Sequence, residues 1–537
     1  MSNEKYLIGV DVGSASARAG VFDRAGNLLG HAKQSITTFR AHGNVVEQSA
    51  NEIWQAVSHC VREAVTQAAI DPAAVAGIGF DATCSLVVID QQGKPLPVSA
   101  DGEAERNIIV WMDHRATQQA DAINATKHPV LDYVGGRISP EMEMPKLLWL
   151  KTHNPQTFQS AAHFFDLTDY LSWRASGDTA RSSCTVTCKW NYLAHEQRWD
   201  ADYFSAIGLP EFAQEKFARI GQQIVEPGTP CGSGLTAQAA ADFGLPAGTP
   251  VAAGLIDAHA GGVGTLGADG SPEDKLAYVF GTSSCTMTPT REAAFVPGVW
   301  GPYYSAMVPG LWLSEGGQSA AGAAIDRLLE MHPAAAKAQQ AADAAGLALP
   351  VYLAEQALQQ ARSESATVDL VEGLHIVPEF AGNRAPFGDP YARAVICGLG
   401  MDNDEASLIA LYIAGLCSLG YGLRQIIEAQ TSKGITTRSI VISGGAGQHS
   451  LVRQLLADSC QLPVQSTHCP EPVLLGSAIL AAAASGVYPD VTSAMANMTT
   501  DEKRWHPEPS FSELHQHRYD AFKLLQSTAR NIRQMSE

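Results

Sequence analysis

Basic residues are scarce in this chain. Its 36 lysines and arginines face 55 aspartates and glutamates, for a net charge of −19, and they never gather into a block. That distribution excludes a surface built for nucleic acid or an anionic membrane, and leaves solubility as the plain meaning of the acidity. A long hydrophobic run is missing too. The most apolar late stretch, Val473 to Val487, is broken by Gly476, Ser477, Ser485 and Gly486; it is too short to span a bilayer and reads as a buried helix. Met1 to Tyr6 leads into a strand-like segment with no apolar signal region, so a cytoplasmic location is expected. Ten cysteines in 537 residues are far too few for a disulfide scaffold. Cys184 and Cys188, the closest pair near polar neighbours, have no second pair at zinc-like spacing. Reduced thiols are expected.

A chain of 537 residues exceeds what one hydrophobic core can organise, so two large domains are expected. Tyr6 to Val12 alternates as a strand and ends in the tight turn Gly13-Ser14-Ala15-Ser16; Arg18 to Asp23 returns, and Ala25-Gly26-Asn27 turns into a third strand. Ile53, Trp54, Val57, Val61, Ala64, Val65 and Ala68 then recur at helical spacing, and Val75 to Phe80 is a strand leading to Asp81-Ala82-Thr83-Cys84-Ser85. A similar order begins past Gly270. Leu276 to Phe280 is a strand, Gly281-Thr282-Ser283-Ser284 a second small-residue turn, and Cys285 to Pro289 the return strand. A helix over about 404–429, a strand at Ser439 to Ser443, the loop Gly444 to Gly447 and a helix from His449 follow. The echo between halves is the organising signal. It predicts a domain over 5–265, a second over 270–487, a boundary within Gly261 to Asp274, and a polar helical appendage over 488–537.

No G-x-x-x-x-G-K-[ST] occurs, so a P-loop is excluded. Phosphates can also be held by tight turns whose amides point into one concavity, where small side chains allow close approach. The turns at Gly13 to Ser16 and Gly281 to Ser284 are of that type, although most such turns are only turns. Asp11, at the end of an apolar strand beside the first turn, is placed either to orient the water ligands of Mg²⁺ or simply to cap the turn. Asp257 ends the apolar strand Val251 to Ile256 and is followed by small residues. A carboxylate at such a junction suits a general base, and it equally suits a helix N-cap. Gly262, Gly264 and Gly267 spell G-x-G-x-x-G, but they follow an expected helix start rather than a strand and no acid ends a second strand at the required distance, so they read as loop glycines.

Taken in order, the stretches IGVDVGSASARAGVFD from Ile8, WMDHRA from Trp111, GLIDAHAG from Gly254, FGTSSCTM from Phe280 and SGGAGQHSLVRQLLAD from Ser443 resemble the FGGY family of carbohydrate kinases. The resemblance spans roughly residues 5–487. It implies an α/β fold of two actin-like or hexokinase-like (ribonuclease-H-like) domains, with ATP and a sugar in the cleft between them. Carried over by position, it implies Asp257 as catalytic base and Asp11 as the metal residue. Gly13, Ser14 and Ser16 would meet the phosphates, as would Gly281 and Thr282. Gly322 and Asp326 would flank the nucleoside, and Gly444, Gly445, Ala446 and His449 the adenine; relatives carry Gln at the place of Asp326 and Asn at that of His449. Sugar contacts would come from Asp81, Thr83, Cys84, Ser85, Asp113 and Asp257. For Cys84 the role of a small core residue stays open. The chain has neither the Arg-Glu pair of glycerol kinases nor the Met-His pair of xylulokinases in the first loop. Thr83-Cys84-Ser85-Leu86-Val87 resembles the D-ribulokinase branch.

The resemblance implies ATP and Mg²⁺ as cofactors and a small sugar or polyol as partner, with a homodimer left open. L-ribulose, xylulose, ribitol and glycerol are alternative acceptors. A non-catalytic actin-like ATP-binding module is an alternative of another class; it requires a peptide-binding domain after the nucleotide domains, for which about fifty residues are too few.

Overall fold

The computed structural model describes residues 4–41, 44–268 and 271–536. Met1 to Asn3, and Asp269 and Gly270 of the expected boundary, lie outside the described residues.

The first lobe is built on a five-stranded sheet of β1 (Tyr6–Val12), β2 (Ser16–Phe22), β3 (Leu28–Ser35), β4 (Val75–Ala82) and β5 (Leu255–Ile256), in the order β5-β4-β1-β2-β3. The second carries seven strands: β6 (Lys275–Phe280), β7 (Ser284–Thr290), β8 (Trp300–Tyr304), β9 (Trp312–Gln318), β10 (Ser439–Ser443), β11 (Val464–Thr467) and β12 (Asp501–Trp505), in the order β8-β9-β7-β6-β10-β11-β12. The echo in the sequence is an echo in topology. β1-β2-β3 form an antiparallel meander with β4 and β5 parallel to β1; β6-β7-β9 form the equivalent meander with β10 and β11 parallel to β6.

The helices that position the site are α1 (Ala50–Ala68), α2 (Ser183–Lys189), α3 (Asp257–Leu266), α4 (Gly322–Glu330), α5 (Glu405–Thr431), α6 (Ser450–Cys460), α7 (Pro472–Ala484) and α8 (Ser512–Ser536). β1 is apolar on both faces because helices cover both. Seen from the backbone, α7 lies almost on the strands: a Cβ at Gly9 or Gly79 would stand 1.9 Å from the Leu474 carbonyl or 2.2 Å from that of Ser477. α5 is long and apolar enough to cross a membrane, and here it packs as a core helix, with Leu408, Tyr412, Leu419 and Leu423 buried in the second lobe.

Three expectations change. The boundary segment does not begin as a loop, because Gly261 to Leu266 belong to α3. Gly262 and Gly264 are therefore helical and Gly267 is the helix cap, not loop glycines. Their lack of Cβ serves packing: one at Gly264 would sit 1.9 Å from the Pro472 carbonyl, and one at Gly267 2.5 Å from Met495 Cβ. Reciprocally, a Cβ at Gly476 would sit 1.9 Å from the Ala260 carbonyl. α3 and α7, the helices that follow β5 and β11, thus cross backbone against backbone. The third change concerns residues 488–537. They are no appendage, since β12 extends the second sheet beside β11 and α8 is tied to α5 by Tyr421 Oη with His515 Nδ1 (2.8 Å) and by Tyr519 Oη donating to Glu428 (2.7 Å).

Candidate active site

Three carboxylates collect at the C-terminal ends of three adjacent parallel strands, the edge at which open α/β sheets bind ligands. Asp11 of β1 is in register with Asp81 of β4, Asp81 is in register with Leu255 of β5, and Asp257 follows β5 as the first residue of α3. Asp11 is ion-paired with Arg18, which also holds Glu471 at 2.9 Å. Asp81 is sealed, and Ser477 Oγ donates to it at 2.6 Å. Burial, with Asp11 alongside, pushes the Asp81 carboxyl well above the usual range. Asp257 differs in being half-buried, with Ala258 N–H donating to it at 2.8 Å. Burial and the neighbouring Asp11 push its carboxyl up to about 6, against the pull of that N–H, His259 and Lys189. An accessible carboxylate that titrates near neutrality can accept a proton from an alcohol.

The two small-residue turns are hairpins at matching places in the two sheets. Gly13 N–H donates to the Ser16 carbonyl and Gly281 N–H to that of Ser283, both at 3.0 Å. Ser14 Oγ accepts from Trp111 Nε1 at 2.9 Å, which ties the first hairpin to the Trp111–Asp113 segment. The carbonyls of Gly281 and Thr282 accept the first N–H groups of α4, from Ala321, Gly322 and Ala323. Gly322 is required there: a Cβ would meet the Gly281 carbonyl at 2.8 Å and the Ala446 Cβ at 3.6 Å. Gly444, at φ +94°, is pressed against Phe280, while Gly445 and Ala446 are exposed. Thus Gly281, Thr282, Gly322 and Gly444 to Ala446 form one surface. Asp326 is exposed further along α4. His449 caps α6, its Nδ1 accepting from Leu451 N–H at 3.1 Å.

Of the residues expected to touch a sugar, two are otherwise engaged. Asp113 is fully buried; it accepts from Val46 N–H (2.6 Å), Arg115 N–H (2.9 Å) and the Arg115 guanidinium (2.7 to 3.0 Å). Its lone pairs are spent on the fold, so the expectation of a sugar contact there is corrected. Asp81 belongs with Asp11 and Ser477 instead of the loop that follows it, and it offers nothing to solvent. Thr83 Oγ1 and Ser85 Oγ are 3.0 Å apart, Ser85 Oγ also accepts from Trp111 N–H (3.1 Å), and both residues are buried, as is Cys84. This loop braces the first hairpin, with Thr83 N–H donating to the Val12 carbonyl at 3.0 Å.

Sequence reasoning passed over Lys189 and Glu315. Lys189, the last residue of α2, makes no hydrogen bond or ion pair among the described residues. Its ammonium stands 5.6 Å from the Trp300 ring centre and near enough to Asp257, Glu315 and Cys84 to shift all three. Burial opposes its charge, yet Cys84, Glu315, Tyr303 and Cys188 together raise its pKa well above the usual lysine value. Burial likewise opposes the charge of Glu315, but His259, Lys189 and Arg384 hold its carboxyl down at about 2. The signal for Lys189 was a lone lysine between Cys188 and Trp190 in an otherwise neutral segment. With no acceptor for its three N–H groups among the described residues, the Lys189 ammonium stands near two carboxylates, a set of donors and acceptors of the kind hydroxyl groups satisfy.

No group of three or more metal-ligating side chains forms among the described residues. Asp11, buried beside the first hairpin and paired with Arg18, is a hard carboxylate oxygen of the kind Mg²⁺ takes, and Arg18 would have to release it to a metal.

The model of the N-terminal domain of the FGGY family of carbohydrate kinases matches residues 6–264, and that of its C-terminal domain residues 276–485. The chain is 43% identical over 533 residues to the FGGY carbohydrate kinase domain-containing protein of Homo sapiens, covering 97% of this chain and 96% of the relative. It is 38% identical over 516 residues to a D-ribulokinase of Saccharomyces cerevisiae, covering 90% of this chain and 72% of that one. Among solved structures, the xylulose kinase of Rhodospirillum rubrum superposes with a TM-score of 0.80 at 22% identity, covering 98% of this chain and 99% of that one. The shared fold is that of two ribonuclease-H-like, actin-like domains.

Proposed function

Since the chain belongs to the FGGY family of carbohydrate kinases, we propose that its acceptor is a pentulose, D-ribulose, which it converts to D-ribulose 5-phosphate. The protein is an ATP-dependent phosphotransferase whose acceptor is a sugar alcohol group.

The observation that carries the mechanism is Asp257, half-buried, titrating near 6 and standing beside Asp11 at the strand ends. In the reading we propose, Asp257 takes the proton from the C5 hydroxyl, that oxygen attacks the γ-phosphorus, and ADP leaves on the opposite side. The hairpin amides near Gly13 and Gly281 receive the phosphates, with Ser14, Ser16 and Thr282 at their rims. Gly322, Asp326, Gly444, Gly445, Ala446 and His449 border the nucleoside. Asp11 would hold Mg²⁺, which when bound spreads the charge that develops on the phosphates. Lys189 faces the sugar as donor, and Cys84 lines the same side.

Two observations support D-ribulose over other acceptors. A 38%-identical relative is a D-ribulokinase, and the Thr83-Cys84-Ser85 loop resembles that branch. An ADP-release assay over D-ribulose, L-ribulose, D-xylulose, ribitol and glycerol tests the proposal, with the highest kcat/KM expected for D-ribulose. We also propose a cytoplasmic location, to be read from fractionation; light scattering decides whether the chain forms a homodimer.

A further inference from the structure

Behind Asp257 runs a buried chain of three side chains that the phosphoryl-transfer reading leaves unused. Cys184 Sγ lies 3.1 Å from His259 Nδ1, and His259 Nε2 lies 3.1 Å from Glu315 Oε2. Cys184 and His259 are almost fully buried and Glu315 nearly so. The thiol end also grips the backbone, because Ile256 N–H, one residue before the base, donates to Cys184 Sγ at 3.4 Å. Ser182 Oγ, two residues before the cysteine, donates to the Gly254 carbonyl at 2.7 Å, and Thr168 Oγ1 donates to that of Leu255 at 2.9 Å. Ser183 Oγ reaches the Ser305 carbonyl in the second lobe at 2.6 Å.

The chain therefore spans the molecule. Cys184 stands on α2 of the first lobe, His259 one step beyond the base on α3, and Glu315 on β9 of the second lobe. Its charge pattern is consistent throughout. Burial disfavours a thiolate at Cys184, yet the hydrogen bond from Cys188 and the bond and charge of His259 lower its pKa; burial disfavours an imidazolium at His259, yet Cys184 and Glu315 raise it. The other charged or titratable groups facing this chain are Cys188 and Lys189 on α2, Asp257 on α3, Asp166 and Asp169 near Cys184, and Cys285, Tyr303 and Arg384 near Glu315. Sealed in this way, Cys184 has no access to a substrate and is not a nucleophile.

We propose that Cys184, His259 and Glu315 form a thiolate–imidazolium–carboxylate chain that positions the base, fixing the Ile256–Asp257 junction to both lobes at once. Cys184 and His259 are positioning residues in this scheme, and its catalytic consequence rests on Asp257 being the base. The chain holds the start of α3 at the angle from which Asp257 meets the acceptor hydroxyl. A displacement of about 1 Å at such a point can cost about a hundredfold in rate without weakening binding.

The test compares full-length wild type with Cys184→Ala, Cys184→Ser and His259→Gln. The readouts are kcat, the KM values for ATP and for the best acceptor of the sugar panel, the thermal midpoint, and the ultraviolet absorbance of a thiolate at neutral pH. That absorbance is assigned to Cys184 as the difference between wild type and Cys184→Ala, which cancels the exposed Cys397; Cys60, Cys84, Cys188, Cys231, Cys285, Cys417, Cys460 and Cys469 are all pushed upward by burial. We expect a thiolate band in the wild type that vanishes in Cys184→Ala and His259→Gln. In Cys184→Ala, kcat should fall about ten- to a hundredfold with both KM values within about threefold. In Cys184→Ser, whose hydroxyl can still accept from Ile256 N–H, a large part of the turnover should return. Absence of the band overturns the charged chain. Wild-type turnover in Cys184→Ala overturns the positioning role, as does a loss that only tracks a falling thermal midpoint or appears in KM. The band is read without turnover, so a failure of the base assignment, detected with Asp257→Asn, is distinguishable from a failure of the chain. If Cys184→Ala does not fold, the serine and His259→Gln variants decide the matter alone.

Discussion

Asp11 and Asp81 occupy the same level of two adjacent parallel strands and have been given opposite surroundings. Arg18 pairs with Asp11, while the Ser477 hydroxyl donates to Asp81. Burial and the neighbouring Asp11 penalise ionisation of Asp81 and hold its carboxyl well above the usual range.

A raised carboxyl binds its proton more tightly in the folded than in the unfolded chain. Its contribution is fully present below the unfolded value, about 3.9, and is lost as pH rises toward the folded one. Asp81→Asn cannot titrate, so its stability relative to wild type should improve between acid and neutral pH in metal-free buffer. Denaturant midpoints at the two pH values measure this. Parallel curves for the two proteins would mean that Asp81 ionises freely.

Asp257→Asn should bind ATP almost as the wild type does and turn over about 10²–10⁴-fold more slowly. The base must be ionised to act, and its carboxyl sits at about 6. In the wild type kcat/KM should consequently fall about tenfold per pH unit below that value. A variant retaining more than about a tenth of wild-type turnover, or a flat acid limb, removes Asp257 from the role of base.

The lobes should close on the sugar. A kinase with water beside the γ-phosphate hydrolyses ATP to no purpose, so closure completes the site only when the acceptor is present. The glycine-lined crossing of α3 and α7 is the natural pivot: it joins the two repeats, and its helices touch through backbone at Gly264 and Gly476. Small-angle scattering with sugar and a non-hydrolysable nucleotide should show compaction, and hydrogen exchange should show slower cleft amides. Gly476→Ala, whose Cβ would overlap the Ala260 carbonyl, should lose that response or its thermal stability. An unchanged radius together with unchanged protection in the wild type would argue for a preformed, closed site.

The repeat, both hairpins and the strand-end acids were legible because each is a local event, a run of alternating apolar residues ended by glycine or by an acid. The loop at Gly444 was legible for the same reason. What sequence could not reveal depends on partners far along the chain. Asp113 looks like a free polar residue until Val46 N–H and Arg115 fold onto it. Gly264 looks like a loop residue until the Pro472 carbonyl arrives beside it. Lys189 gains its meaning only when Asp257, 68 positions later in the numbering, and Glu315 are brought to its side.

Lys189 is also where the choice of acceptor can be tested most sharply. Among the described residues its ammonium has no hydrogen-bond or ion-pair partner, so its donors are left for water or for the substrate. A five-carbon ketose offers a carbonyl and several hydroxyls to such a group, whereas glycerol, once its reacting hydroxyl is aimed at Asp257, has fewer oxygens left to reach it. A site built to hydrogen-bond many oxygens rejects analogues that lack them, because its own polar groups are then left unpaired. Lys189→Met keeps the length and removes the donors. Losing a charged donor to a buried oxygen costs about 1–3 kcal/mol, so kcat/KM for D-ribulose should drop about ten- to a hundredfold, with a much smaller change for glycerol. In the wild type, D-ribulose should lead L-ribulose, D-xylulose, ribitol and glycerol. An equal loss for every acceptor in Lys189→Met would make the lysine a general electrostatic element. Any other acceptor outranking D-ribulose would overturn the reading of the Thr83-Cys84-Ser85 loop, while the assignment as a carbohydrate kinase would stand.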